Sequence, residues 1–282
     1  MGKFKRGWQL TKESWAIVRN DRSLVVFPII SAVAGIVTIA IFFALGAGAV
    51  TASDAEWTAI PFAVAGLYLL IVVGVFSSVA LAACASRALE GHDTTVGEGI
   101  AAARGKLGLI LAWSGVSLFV GTLIAVLQAL LEEVAGSLVS SIIGGLANVG
   151  WSVATFFVVP VIALEGLTPK AALKRSVGVV KGHWGEGVVG TGAIGLIFLV
   201  AFLPAVLLMF AGYSVFKSSA PAGVALIAVG VIILAVGMLL QMTVTTVFKV
   251  ALLRFATDGQ VLGGFQQEQL EGAFKPKKSK KR

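Results

Sequence analysis

Two histidines, His92 and His183, and one cysteine, Cys84, are the side chains best suited to hold a metal or move a proton. Glu90 and Asp93 stand beside the first histidine, and Glu165 and Glu186 lie nearest the second among the carboxylates. A metal-assisted or acid–base hydrolysis would be the chemistry of such a set. The spacing does not support it, because there is no His-Glu-x-x-His and no cysteine pair. The glycines Gly185, Gly187, Gly190, Gly192 and Gly195 lack the lysine that a phosphate-binding loop requires. Cys84 sits among Ala82, Ala83 and Ala85 and reads as a small packing residue. We therefore expect no catalytic residue, no metal and no cofactor, with the histidines solvated at headgroup level.

Polar side chains also interrupt otherwise apolar runs. These are Gln128, Asn148 and Gln241, with Thr243, Thr245 and Thr246 near the last. Gln128, Gln241 and Thr245 are candidates for lining a polar cavity. The plainer reading is an interhelical hydrogen bond, worth about 0.6 kcal/mol on average. No run carries an acid or a base at its centre, which argues against an ion-coupled pump or proton relay.

The elements that must position these residues follow from composition. The 282 residues are 57% hydrophobic and 13% charged, with a mean hydropathy of +0.96. Soluble domains carry about 25% charged residues. Windows without an ionisable residue span 23–53, 57–86, 107–131, 134–164, 187–216 and 218–248. Each exceeds the roughly 20 residues that a helix needs to cross a bilayer, and lipid offers no partner to a free backbone N–H or C=O, so the runs must be helical. The spacing predicts six spans, at about 24–50, 60–87, 107–131, 149–164, 187–213 and 222–248. An interfacial turn is expected over about 134–147, around Gly144, Gly145 and Asn148.

Charge gives sidedness. Six Lys/Arg precede residue 23, three lie over 87–106, four over 170–181 and eight from 249 onward. The alternate loops hold Asp54, Glu56, Glu132 and Glu133, with Lys217 as their one cation. The positive-inside rule then puts both termini in the cytoplasm. The net charge of +8 belongs to span ends and matches anionic lipid headgroups, not nucleic acid.

Three short segments precede pairs of spans. Thr168-Pro169 is a helix start, followed by Leu173, Val177, Val180 and Trp184 on one face and by Lys170, Lys174, Arg175 and Lys181 mostly off it. Val96, Ile100, Ala103 and Leu107 keep the same spacing, with Arg104 and Lys106 as the basic pair. Near the start, Trp8, Thr11, Trp15 and Val18 share a face. Such segments suit the membrane surface, with Trp8, Trp15, Lys170, Lys174, Arg175, Lys181 and Trp184 at headgroup level. Ala-Leu-Glu-Gly closes the second span at 88–91 and the fourth at 163–166. We read three parallel repeats, about 1–91, 92–166 and 167–259, each a surface helix followed by a hairpin. Residues 260–282 are a polar, basic tail expected not to fold. Small-residue stripes for close helix packing fall at Ala40/Ala44/Gly48, Ser78/Ala82/Ser86 and Gly187/Thr191/Gly195.

Arg6-Gly7-Trp8, Leu10, Ser14-Trp15, Asp21, Leu24 and Phe27-Pro28 resemble the opening of a family of uncharacterised prokaryotic multi-pass membrane proteins. That resemblance implies a prokaryotic plasma membrane and carries no activity with it. The surface-helix-plus-hairpin plan is more distantly similar to the membrane domain attached to some bacterial glycerophosphodiester phosphodiesterases.

The expected fold class is thus all-α, a polytopic membrane protein. The expected function is a non-enzymatic membrane module that associates with anionic lipids and with a partner protein or a second copy of itself. The alternative is a passive transporter or channel for a lipid-like or neutral solute, lined by Gln241 and its threonines.

Overall fold

The structure is a computed structural model that describes residues 3–183, 189–265 and 267. Among them every regular element is helical: α1 (Lys3–Asn20), α2 (Ser23–Ser53), a 3-10 turn (Glu56–Ala59), α3 (Ile60–Leu89), α4 (Val96–Arg104), α5 (Leu107–Ala154), α6 (Val158–Glu165), α7 (Pro169–His183), α8 (Val189–Phe216) and α9 (Ala220–Asp258). Five segments are long and apolar enough to cross a membrane: 23–53, 56–89, 107–165, 198–216 and 220–258. The chain is a membrane protein by that measure. Leucine, isoleucine, valine and phenylalanine side chains such as Ile36, Phe43, Phe119, Leu138, Phe210 and Ile232 stand at least half exposed along these helices. Water would not tolerate so continuous an apolar surface, and hydrocarbon does.

The segment 107–165 is bent back on itself. A straight helix would hold Gln128 and Ser140 about 18 Å apart. Instead the Ser140 hydroxyl donates to the Gln128 carbonyl at 2.7 Å. Trp113 and Trp151 also stack, with ring centroids 5.9 Å apart and planes inclined by 19°. The reversal is made at one residue, Gly136, at φ 82° and ψ 165°, a region open essentially to glycine alone. This corrects the expected interfacial turn over 134–147. Residues on both sides of Gly136 stay helical, and Gly144, Gly145 and Asn148 lie inside the second arm. Gly144 serves there as a floor for the Gln128 side chain. The second arm breaks at 155–157 because Pro160 has no N–H for the Phe156 carbonyl, and α6 resumes it. Gly136→Ala is expected to lower stability by about 1–3 kcal/mol, read as a fall in the thermal midpoint of the purified protein.

The antiparallel pairs α2/α3, the two arms of α5 with α6, and α8/α9 meet at one end. There α3, α6 and α9 touch each other in all three combinations. The core sits in that half of the molecule: Val79, Leu81 and Ala85 of α3, Val161 and Ile162 of α6, and Val247, Phe248 and Leu252 of α9 are buried. Toward the far ends, marked by Asp54, the 132–133 glutamates and Lys217, large apolar side chains are exposed instead.

The short helices cap the shared end. α4 lies against α2 and α3, α7 against α5, α6 and α9, and α1 against α8 and α9. Each of α4 and α7 thus rests on the helical pair that precedes it in the chain, and α1 rests on the last pair. Their inward faces differ from those the spacing predicts. In α7 the buried residues are Ala172, Ser176 and Val179, with Leu173 and Val180 partly buried beside them. That face is turned well away from the Leu173/Val177/Val180/Trp184 stripe, because the helix faces protein on one flank, and the buried Ser176 hydroxyl accepts the Phe157 N–H at 3.0 Å. In α1 the buried residues are Ser14 and Val18, while Trp8 and Trp15 stand 55% and 40% exposed about a quarter turn away. α4 follows expectation more closely, with Val96, Ile100 and Ala103 directed to the core and Leu107 exposed.

Two further expectations change. Phe265 is buried and Leu262 half-buried, so the body extends past residue 259, with Gly263 against Leu89 and Ile17. Of the three small-residue stripes, Ala82 and Ser86 are buried, whereas Ala40, Ala44 and Gly48 face outward. The packed face of α2 carries Thr38 and Gly46 instead. The Gly187/Thr191/Gly195 stripe and Trp184 lie outside the residues whose side chains are described.

Candidate functional site

The shared end of the bundle collects the charged residues that the spans exclude. Its local structure begins with three helix ends. α3, α6 and α9 stop at Gly91, Gly166 and Gly259, with φ of 84°, 64° and 68°, the left-handed stop that glycine makes without strain. An acid precedes each glycine: Glu90, Glu165 and Asp258. The Ala-Leu-Glu-Gly match reveals two of these ends. The third, Asp258-Gly259, is legible as acid-plus-glycine at the foot of the last apolar run.

Arg254 ties two of these ends together. One of its terminal nitrogens donates to the Ser86 hydroxyl at 3.0 Å and to Glu90 at 3.3 Å, and the other reaches Asp258 at 3.3 Å. Ser86 is buried, and the Arg254 side chain is 29% exposed. At the third end, the Arg175 Nε lies 3.2 Å from the Glu165 carboxylate. Arg175 and Arg254, with Glu165, Asp258 and Thr257, line one cavity of about 240 Å³ whose apolar wall is Leu164 and Leu253. Thr257 gives its hydroxyl proton to the Leu253 carbonyl, 3.0 Å away. Residues 164 positions apart make this cluster, so spacing along the chain could not reveal it.

A second polar knot joins the links between the short and long helices. Asp21 accepts the Ser23 N–H at 3.0 Å, the Thr94 N–H at 3.1 Å and the Thr94 hydroxyl. Next to it, Thr95 and Glu98 form a reciprocal capping box that starts α4, and Arg87 pairs with Glu98 at 2.8 Å. Thr95-Val96-Gly97-Glu98 is a readable signal that the repeat pattern overshadows. The Thr95 N–H, with Arg87 beyond it, holds the Glu98 carboxyl below its ordinary value of 4.5. A depressed carboxyl contributes stability above its unfolded-state value and loses it as pH falls through the folded-state value. The thermal midpoint of the wild type should therefore exceed that of Glu98→Gln at pH 7, and the gap should close as pH falls below 4.5.

The residues singled out from the sequence divide as follows. Lys170, Lys174 and Lys181 are exposed along α7 and form no ion pair among the described residues, as do Lys12, Arg19 and Arg22 around α1 and Arg104 at the end of α4. Arg175, expected beside them, belongs to the cavity. Lys249, the first cation after the last apolar run, has its amine 4.5 Å from the centre of the Phe156 ring. Gln128 lies in the bend of α5 with its side chain over Gly144. Gln241 and Thr245 are half-buried in α9, and neighbouring Thr243 and Thr246 spend their hydroxyls on the Leu239 and Met242 carbonyls. His92 is exposed after Gly91, and the His183 side chain lies outside the described ones. Cys84 is buried, with its thiol 3.7 Å from the Thr95 carbonyl. No three metal-ligating side chains come together among the described residues.

Neither a curated protein nor a solved structure matches the chain. A family match runs over residues 59–264, from the turn before α3 to the loop after α9, and leaves the tryptophan-bearing opening outside it. With most of its length covered by that match, the chain belongs to DUF6159, a family of unknown function.

Proposed function

We propose that this chain is a six-crossing protein of a prokaryotic plasma membrane, with both termini in the cytoplasm, that binds anionic lipid at its basic end and holds a partner protein or a second copy of itself. The observation that carries the lipid reading is the set of exposed cations on and beside the three capping helices. Lys12, Arg19, Arg22, Arg104, Lys170, Lys174 and Lys181 are exposed and without ion pairs among the described residues, while the far end is acidic. Trp8 and Trp15, exposed on α1, supply the amphipathic rings that favour the headgroup layer. A basic residue near an anionic leaflet contributes about 1 kcal/mol.

Six crossings are supported by the reversal at Gly136, since the first arm, and the second arm together with α6, each exceed the roughly 20 residues of a span. Three repeats are supported by the acid-glycine ends of α3, α6 and α9 and by the way the short helices are shared out. Each caps the preceding hairpin, and α1 caps the last, which closes the sequence of contacts into a ring.

Native mass spectrometry of the full chain with phosphatidylglycerol and phosphatidylcholine of matched acyl chains tests the lipid reading. The wild type should retain phosphatidylglycerol preferentially, and the double variant Lys170→Glu/Lys174→Glu should retain it about tenfold less, the sum of two contacts near 1 kcal/mol reduced by the flexibility of the side chains. Equal retention by wild type and variant would overturn it. Extraction into native nanodiscs tests the scaffold reading, for which a stoichiometric protein partner or a homo-oligomer is the expected result and a lone monomer the adverse one.

A further inference from the structure

We infer that the cavity between the ends of α6 and α9 and the middle of α7 is a binding site for a zwitterionic phosphate–ammonium headgroup, phosphoethanolamine in type. The inference rests on the membrane reading above and names a second lipid chemistry at the same end of the bundle.

The walls carry two guanidinium groups, Arg175 and Arg254, and two carboxylates, Glu165 and Asp258. With Glu90 also on Arg254, the set has no surplus of positive charge, so a lone anion gains no net attraction there. A ligand that bears both signs a few bonds apart meets a partner for each. The donors are in place. Arg175 gives only its Nε to Glu165, which leaves its two terminal nitrogens without a hydrogen-bond partner among the described residues. Arg254 spends one terminal nitrogen on Asp258 and the other on Ser86 and Glu90, so the free donors are those of Arg175. Guanidinium groups bind phosphate oxygens in paired geometry. The acceptors are the carboxylates of Glu165 and Asp258, and Asp258 uses only one oxygen on Arg254.

Three features narrow the ligand. The cavity of about 240 Å³ holds several waters, one of which needs about 10–15 Å³ of such space, and so has room for a group the size of phosphoethanolamine. Among the described residues no aromatic side chain lines it, which favours a hydrogen-bonding primary ammonium over a quaternary one held in an aromatic cage. The polar walls adjoin Leu164 and Leu253 at the foot of two apolar helices. Both leucines belong to the protein core, and the polar groups stand where the spans 107–165 and 220–258 end, the depth of a lipid headgroup. The same chemistry could arrive as a free solute, and the experiment separates the two.

Native mass spectrometry of the full chain would compare phosphatidylethanolamine, phosphatidylcholine and phosphatidylglycerol of identical acyl chains. The wild type should hold one phosphatidylethanolamine about tenfold more tightly than phosphatidylcholine, the discrimination expected from charge-assisted hydrogen bonds to the ammonium. Glu165→Gln and Asp258→Asn, which keep shape and remove charge, should each reduce that ratio while leaving phosphatidylglycerol retention unchanged. Binding of soluble phosphoethanolamine without any lipid preference would keep the site and assign it to a free solute. Equal retention of the ethanolamine and choline lipids by the wild type, with no binding of soluble phosphoethanolamine, overturns the inference. So does a ratio unchanged in both variants. The anionic-lipid reading fails separately, by unaltered phosphatidylglycerol retention in Lys170→Glu/Lys174→Glu.

Discussion

Gly223→Leu is expected to break the contact between α8 and α9 and to lower stability by about 3 kcal/mol or more. A Cβ on Gly223 would stand 2.6 Å from the Cα of Phe216 and 2.8 Å from the Gly212 carbonyl oxygen. Both neighbours are backbone, so no rotamer change relieves the clash and the helices must move apart. In a bilayer this loss is not offset elsewhere. Helices associate there by close van der Waals contact, since lipid tails are as apolar as leucine. The control is Gly48→Leu, because nothing lies within 4 Å of a Cβ at that position. Thermal unfolding of both variants in nanodiscs checks the prediction. A large fall for Gly223→Leu with little change for Gly48→Leu is the expected pair of results, and equal midpoints would mean that α8 and α9 do not touch as described.

Gly99→Leu should act on the other side of the molecule, by lifting α4 off the first hairpin. A Cβ at this position would fall 2.3 Å from the Phe27 ring tip and 2.8 Å from the Cys84 sulfur. Phe27 and Cys84 are each 2% exposed, so neither has room to yield, and overpacking of this kind costs about 1–3 kcal/mol. The chemical readout is stronger than the energetic one. Cys84 is buried beneath α4 in the wild type, and its alkylation by a maleimide should be slow. Once α4 is displaced, the thiol opens to reagent and the rate should rise by at least about tenfold, the change that 1.4 kcal/mol of easier opening produces. An unchanged rate would show that α4 does not cover Cys84.

Both glycines were missed by pattern reading, and the reason is instructive. At α4 the spacing of Val96, Ile100 and Ala103 identifies the inward face, and the structure places all three there. Gly99 lies on the same face, but an absent side chain carries no hydropathy signal. In α7 the buried face lies about a quarter turn from the face that spacing predicts. Leucine, valine and tryptophan mark what water rejects, and a helix between lipid and protein has two sides that water rejects. The buried face is instead picked out by small residues and a serine, Ala172 and Ser176, which admit close approach and satisfy the Phe157 N–H.

By itself the sequence determined that the long elements are helices, where most of them begin and end, and which end of the molecule is basic. These are local matters. A chain in hydrocarbon must satisfy its backbone within each segment, and Lys and Arg are excluded from the runs by solvation cost. The glycine stops at residues 91, 166 and 259 are local too, since each needs only the freedom of one residue to take a positive φ. Tertiary structure alone decided that the run 107–165 turns at Gly136, that α3, α6 and α9 share one centre, and that each short helix caps a hairpin other than the one it leads into. It alone brought Ser86 and Glu90 to Arg254, and Arg175 and Glu165 to the same cavity wall as Asp258. The physical reason is the solvent. In water, burial separates protein-facing from solvent-facing residues and leaves a periodic trace in the sequence. In lipid both faces are apolar, so the choice of neighbour rests on shape and on a few polar contacts, and these become visible only when the helices are placed side by side.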